Sequence, residues 1–320
     1  GCWNPEGRIE QQMLYTIGQL NGDGGVGRLD RVDLTNIQTE TVDGRCRITY
    51  SAHIPVAWLK SKAVPQTYTF KLPEDVGSTA LQAFTDAYSH TCVDYGAHDV
   101  TAGIYWYYYR PARSGCAIKD ADIAQFEATV SESPLYTTGK YPEYHKVWED
   151  DALEVVAVFG KYEDGATANS DAGISAYNSF NEAVLGRLAS GGFSELVMTP
   201  ADAPEVPGVA VPEVTYEATL ADGRRLKVVA ILIDSVGSAG ADFDARYEAM
   251  TPTADLILYN GHAGLGSNIR ALARKGAWRT GQYAIVFMNG CDTYAYVDSS
   301  LAQTRASLNP DDPTGTRYLD

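Results

Sequence analysis

Two short stretches in the last quarter of the chain hold the side chains best suited to covalent chemistry. One is Leu256-Ile257-Leu258-Tyr259-Asn260-Gly261-His262-Ala263-Gly264, and the other is Ile285-Val286-Phe287-Met288-Asn289-Gly290-Cys291-Asp292-Thr293. Each reads as an apolar strand that runs into Asn-Gly and then into a reactive group. An imidazole beside a thiol can take its proton, and the thiolate then attacks a carbonyl carbon. Backbone N–H groups in glycine-rich turns, here those of Ala263 and Cys291, can face the oxyanion that forms. Cys291 is therefore the candidate nucleophile, His262 the candidate general base and acid, and Ala263 a candidate oxyanion donor. A plainer reading stands beside this one: a strand-end histidine bonded to backbone, and a small cysteine packed as an apolar residue.

For His262 and Cys291 to meet, their strands must be neighbours that end at the same edge. From about residue 153 the sequence alternates strand and helix patterns. Residues 155–159 form a continuous apolar run closed by Gly160, which suits a central parallel strand. Ile174, Tyr177, Phe180, Val184 and Leu188 recur at helical spacing before Gly191-Gly192. Residues 195–198 read as a short strand, and 213–220 and 226–233 as a hairpin turning at Asp222-Gly223. A helix over 241–250, a strand over 255–259, a helix over 268–275 capped by Ser267 and a strand over 283–288 follow. The fold class expected is α/β, a mostly parallel, doubly wound sheet over residues 151–320. In such sheets, sites lie beyond the carboxyl ends of the strands. Residues 1–150 carry aromatic and β-branched runs (45–50, 66–70, 103–109) and one helical pattern over 78–89, so an N-terminal α+β domain with a small antiparallel sheet is expected. The stretch 130–142, rich in Ser, Thr, Tyr and Pro, reads as the exit from it.

With that order of elements, the chain resembles the caspase–gingipain–legumain–separase clan of cysteine peptidases. The likeness rests on an apolar strand ending in His with Gly close by, then a helix, then an apolar strand ending in Cys. The separation of 29 residues from His262 to Cys291 resembles the spacing of gingipain-like and separase-like members. The Gly290-Cys291-Asp292-Thr293 turn is similar to that of gingipain-like domains. The resemblance covers residues 153–320 and implies a caspase-like fold, endopeptidase activity without a cofactor, a protein or peptide substrate, and a strong preference for the residue before the cut. The clan usually has Gly directly after the His, whereas Ala263 stands here with Gly264 next. A methyl group leaves the backbone donor in place. The chain stops at Asp320, where a further strand is expected, which reads as a very short last strand, a truncation or processing.

A basic side chain before the scissile bond needs a carboxylate near the strand tips. Glu163 and Asp164 follow the first core strand, Asp234 ends the third, and Asp292 adjoins the nucleophile. A buried carboxylate facing Arg or Lys gains on the order of 1.5–3 kcal/mol, roughly a ten- to hundredfold preference. Cleavage after Arg or Lys is therefore expected, with these four acids as candidate substrate-binding residues.

The whole composition agrees with such a substrate. Among 320 residues, 25 Lys and Arg stand against 41 Asp and Glu, a formal charge of −16. Such a surface repels phosphate backbones and anionic headgroups, which argues against nucleic acid as a partner. Hydrophobic residues at 45% exclude a disordered chain or a collagen-like repeat. No apolar run approaches the roughly 18 residues of a membrane span. Cys2, Cys46, Cys92 and Cys116 cluster in the first 120 residues and read as one or two disulfides of an exported chain, Cys92–Cys116 being the favoured pair. Gly1-Cys2 is open to two readings: the remnant of a lipoprotein signal, giving membrane attachment through a lipidated Cys2 in the cell envelope, or a disulfide cysteine after a stray glycine. A surface lipoprotein using the scaffold for binding without catalysis is the alternative function.

Three further motifs carry plainer explanations. His90, Cys92, Asp94 and His98 could ligate a metal, but Cys92 is better read as a disulfide partner. Asn21, Asp23, Asp30 and Asp33 resemble a calcium loop without its closing acid, so a turn is expected and no metal site. Trp106-Tyr107-Tyr108-Tyr109 could stack on sugar, although adjacent aromatics on a strand more often divide between a core and a domain contact.

Overall fold

The computed structural model describes residues 2–97, 100–133 and 142–320, and divides into two units, residues 1–137 and 138–320. His98 and most of the 130–142 stretch lie outside the described residues.

The first unit opens with a helix absent from the sequence reading, α1 (Pro5–Asp23). Asn4 caps it by accepting the Gly7 N–H, and Pro5 occupies its first turn. Ile9, Met13, Ile17 and Leu20 give it a buried stripe. Gln12 and Gln19, which blur that stripe in the sequence, are buried too. Their amides donate to the carbonyls of Pro73 and Thr69, tying the helix to a strand by hydrogen bonds as well. The strands β1 (Gly25–Gly27), β2 (Asp33–Val42), β3 (Arg45–His53), β4 (Val56–Trp58) and β5 (Thr67–Pro73) follow, then α2 (Ser78–Tyr88), α3 (Tyr105–Tyr108) and β6 (Ile123–Thr129).

The expected single antiparallel sheet is instead three separate two-stranded ribbons, β1–β4, β2–β3 and β5–β6. The expected strand over 103–109 is also corrected, because its centre is the helical turn α3. Tyr105, Tyr109 and Phe84 meet Tyr15 edge-on with ring centroids 6.0, 5.3 and 5.9 Å away, and that aromatic core fixes the turn. With Tyr105, Trp106 and Tyr109 buried, these rings offer no sugar platform.

Disulfides join Cys2 to Cys46 and Cys92 to Cys116. Such bonds point to a chain matured outside the reducing cytoplasm. Of the two readings of Cys2 the structure has the disulfide, and a sulfur bonded to sulfur is not available for a lipid thioether. The metal quartet dissolves for the same reason: Cys92 is paired with Cys116, and Asp94 with Arg110. The calcium-like acids also stay apart, Asp23 accepting from the Tyr68 hydroxyl and Asp30 pairing with Arg28. Among the described residues no group of three could hold a metal, and no helix is long and apolar enough to cross a membrane.

The second unit is built on one sheet. Its elements are β7 (Ala152–Gly160), α4 (Ala172–Ala189), β8 (Phe193–Thr199), β9 (Glu213–Leu220), β10 (Arg225–Ile233), α5 (Ala241–Met250), β11 (Leu256–Asn260), α6 (Ser267–Arg274), β12 (Ile285–Asn289), α7 (Thr293–Tyr296) and α8 (Ser300–Leu308). The sheet order is β12-β11-β7-β10-β9-β8. The strands β12, β11, β7 and β10 are mutually parallel, and β9 runs antiparallel to both β10 and β8. The fold is thus α/β with a mixed sheet and a mostly parallel core.

Val155, Ala157 and Phe159 face α4 through Leu188, Ile174 and Tyr177. The alternate residues Val156, Val158, Val229, Ile231, Ile257 and Tyr259 are equally buried, so both faces of the sheet are covered. Helix α6 starts at Ser267 with Gly266 in the cap position, so Ser267 is not the expected cap. Its hydroxyl donates back to the Gly264 carbonyl instead. Residues 318–320 run parallel beside the start of β12, where Ala284 N–H donates to Tyr318 and Val286 N–H to Asp320.

Candidate active site

β7 is central, with β10 on one side and β11 then β12 on the other, so connections leave it in both directions. In parallel sheets such a reversal marks where ligands bind, beyond the carboxyl ends of the strands, and the loops after β7, β10, β11 and β12 leave from that end. The register of β11 and β12 aligns Asn260 with Asn289, and the Asn289 amide donates to the Asn260 side chain. Gly261 N–H donates to the Asn289 carbonyl at 3.1 Å. His262 and Cys291 therefore follow adjacent strand tips at equal distance along the sheet.

Gly290 lets those tips fuse. A Cβ there would lie 2.9 Å from the Gly261 oxygen and 3.1 Å from the Ala263 nitrogen, so any side chain would push the two turns apart. Ala263 is buried, and neither its N–H nor that of Cys291 has a hydrogen-bond acceptor among the described residues. An unpaired donor on a buried residue such as Ala263 is costly unless an acceptor arrives, whereas Cys291 is exposed and its N–H is open to solvent. Both belong to the small set of groups that a transient oxyanion could use.

The imidazole of His262 is exposed and held by its surroundings. Nε2 lies 2.8 Å from the Tyr162 carbonyl oxygen in the loop that follows β7. A carbonyl can only accept, so Nε2 carries the hydrogen and Nδ1 is the basic nitrogen of the neutral ring. The Tyr162 ring packs against the imidazole with centroids 4.8 Å apart. From behind, the His262 carbonyl accepts from the Tyr259 hydroxyl (2.6 Å) and the Asn268 amide (2.8 Å). Asn268 is buried, and its oxygen accepts from Ser235 and from Gly237 N–H, tying the loop after β10 to the loop after β11. Cys291 is a free, exposed thiol with no hydrogen bond among the described residues.

Compared with family models, with curated proteins and with solved structures, the chain matches none.

The four candidate substrate acids occupy different surroundings. Asp234 is paired with Lys161 at 2.8 Å and accepts the Gly165 N–H. The Lys161 ammonium and that N–H hold its carboxyl below the ordinary range. Glu163 and Asp164 are exposed on the loop after β7. Asp292 sits between Cys291 and α7 with a left-handed backbone (φ 50°), a conformation Asp tolerates better than most residues.

Sequence reasoning missed Tyr162, Asp171 and Asn268. Tyr162 acts here through its backbone carbonyl, which leaves no mark in a sequence. Asp171 had a visible signal: an Asp three residues before the first apolar helical residue is a helix N-cap signature. It caps α4 by accepting from Gly173 and Ile174. Helix α4 starts so close to the end of β7 that a Cβ on Gly173 would fall 2.0 Å from the Gly160 oxygen, and this contact brings Asp171 under the loop.

Proposed function

We propose that the chain is an exported cysteine endopeptidase of the caspase–gingipain–legumain–separase type, with its machinery in residues 153–320. The observation that supports this most is the fusion of two in-register strand tips, one ending in His262 and the other in Cys291, across Gly290. A nucleophile and a base on adjacent rigid strands are what thiol catalysis needs.

In the reaction, the Cys291 thiol proton passes to Nδ1 of His262, and the sulfur bonds to the carbonyl carbon of the scissile peptide. The carbonyl oxygen becomes an oxyanion and accepts from the N–H groups of Ala263 and Cys291. As the oxyanion collapses, the C–N bond breaks and the imidazolium gives its proton to the departing amine, leaving a thioester. Water, deprotonated by His262, then attacks the thioester and restores the thiol. The acidic loop edge at Glu163, Asp164 and Asp292 supports a preference for Arg or Lys before the cut. Asp234, already neutralised by Lys161, contributes less than the sequence suggests.

The test is a set of peptidyl acyloxymethyl ketones with Arg, Lys, Asp or Leu at the position before the reactive group, with adducts mapped by mass spectrometry. Labelling at Cys291, lost in Cys291→Ala and fastest for Arg or Lys, is the expected result. Labelling that survives Cys291→Ala refutes the nucleophile, and a profile dominated by Asp or Leu refutes the basic preference. A second reading, a binding scaffold without catalysis, has one observation in its favour: no hydrogen bond joins the Cys291 thiol to His262 among the described residues. Catalytic hydrogen bonds are often loose before substrate binds. The same probes decide, because a scaffold leaves Cys291 no more reactive than an ordinary cysteine.

A further inference from the structure

The peptide group between Tyr162 and Glu163 is bonded at both ends. Its carbonyl, on Tyr162, accepts from His262 Nε2 at 2.8 Å. Its N–H, on Glu163, donates to Asp171 Oδ2 at 3.0 Å. Asp171 also accepts the Tyr162 N–H at 3.0 and 3.1 Å, and Gly173 and Ile174 N–H at 2.9 and 3.1 Å. We propose that Asp171 is a positioning residue for His262 and that its negative charge acts through the Tyr162–Glu163 peptide bond. The proposal rests on the peptidase reading for its purpose, though not for its geometry.

The physical argument is one of polarisation. A carboxylate on the N–H side of an amide draws electron density toward the carbonyl oxygen, and hydrogen bonds in a chain strengthen one another. The Tyr162 oxygen then accepts more strongly from Nε2–H and favours the imidazolium that forms when Cys291 gives up its proton. A carboxylate bonded directly to the ring would do the same at shorter range. One peptide group here separates the two, and Asp171 also fixes where that group lies.

The anion is itself secured. Burial works against its charge, but the N–H groups of Tyr162, Glu163, Ile174 and Gly173 outweigh that and keep its carboxyl below the ordinary range, so it stays charged at neutral pH. The Tyr162 phenol packs against the imidazole, and the other charged or titratable groups on the loops at this end of the sheet are Lys161, Glu163 and Asp164 after β7, Asp234 after β10, and Cys291 and Asp292 after β12. Lys161 and Asp234 pair with each other, and Asp171 has a bonded path to the ring through the Tyr162–Glu163 peptide.

The experiment is an NMR titration of His262 in the full chain, its resonance assigned through His262→Gln, together with the pH dependence of iodoacetamide alkylation at Cys291. Asp171→Asn keeps a helix-capping side chain and removes the charge. Asp171→Ser keeps the cap but is too short to reach Glu163 N–H. Both variants are expected to lower the His262 midpoint by roughly half to one pH unit and to slow alkylation at pH 7 about three- to tenfold. An unchanged His262 midpoint in either variant, with native circular dichroism and melting temperature, overturns the proposal. If instead the midpoint falls while His262→Gln leaves alkylation unaltered, the relay stands and the peptidase reading fails.

Discussion

At the carboxyl ends of the central strands, acids are met by donors: Asp171 by four backbone N–H groups and Asp234 by Lys161 and Gly165, and both are held below the ordinary range. At the amino ends the reverse holds. Asp255 follows the end of α5 and enters β11. Burial, with Asp150 and Glu154 nearby, pushes its carboxyl up to about 7 even though it accepts the Glu154 N–H at 2.7 Å. It lines a cavity of about 240 Å³ with Lys146, Arg279 and Tyr283. A parallel sheet with crossover helices is polar: helix N-termini gather at one end and helix carbonyls at the other. His262 and Cys291 lie at the end where negative charge is welcome, and in the proposed reaction the oxyanion would form at that end.

That contrast can be broken most severely at the reactive end. Cys291→Ala should reduce probe labelling or peptide hydrolysis by more than about a thousandfold, and His262→Ala by about a hundredfold or more at pH 7, both read from single-turnover rates. Gly173→Ala comes next, because its methyl would collide with the Gly160 backbone. A loss of roughly 2–4 kcal/mol in urea unfolding is expected, with the loop over Asp171 displaced.

The opposing signs at the two ends predict opposing pH slopes. Asp255 has its folded value raised above the unfolded one, so its contribution is full in acid and is lost as pH rises through about 7. Asp171 has its folded value lowered, so its contribution is present above the unfolded value and is lost as pH falls through the acid range. Asp255→Asn should therefore raise the melting temperature at pH 8.5 by a few degrees relative to wild type and change it little at pH 4. A larger gain at pH 4 than at pH 8.5 would refute the assignment. The smallest effect belongs to Lys161→Met: its partner Asp234 is about half exposed, and such pairs contribute roughly 0–1 kcal/mol.

What the sequence disclosed and what it hid follow the same division. β7, β10, β11 and β12 were legible because two-sided burial writes itself as unbroken apolar runs, and the Asn-Gly after two of them marked the tips. The helix α1 was not, because Gln12 and Gln19 are buried by hydrogen bonds to β5, and polar letters in a buried stripe read as surface. α3 was misread because its tyrosines suit a strand, whereas packing around Tyr15 selects a helical turn. Within the site, His262 and Cys291 were visible as side chains. The Tyr162 carbonyl that orients the ring was not, since every residue has one.

The two disulfides have a consequence for how the chain is made. All four paired cysteines lie between residues 2 and 116, while the free thiol waits at 291. A chain emerging from its amino end exposes the first four long before the fifth exists in the oxidising space, so their pairing can finish with no competitor present. Chain order thereby does the work of a protecting group. Refolding the whole, fully reduced chain removes that schedule: five thiols then compete at once, and every pairing that captures Cys291 strands one cysteine of the first unit.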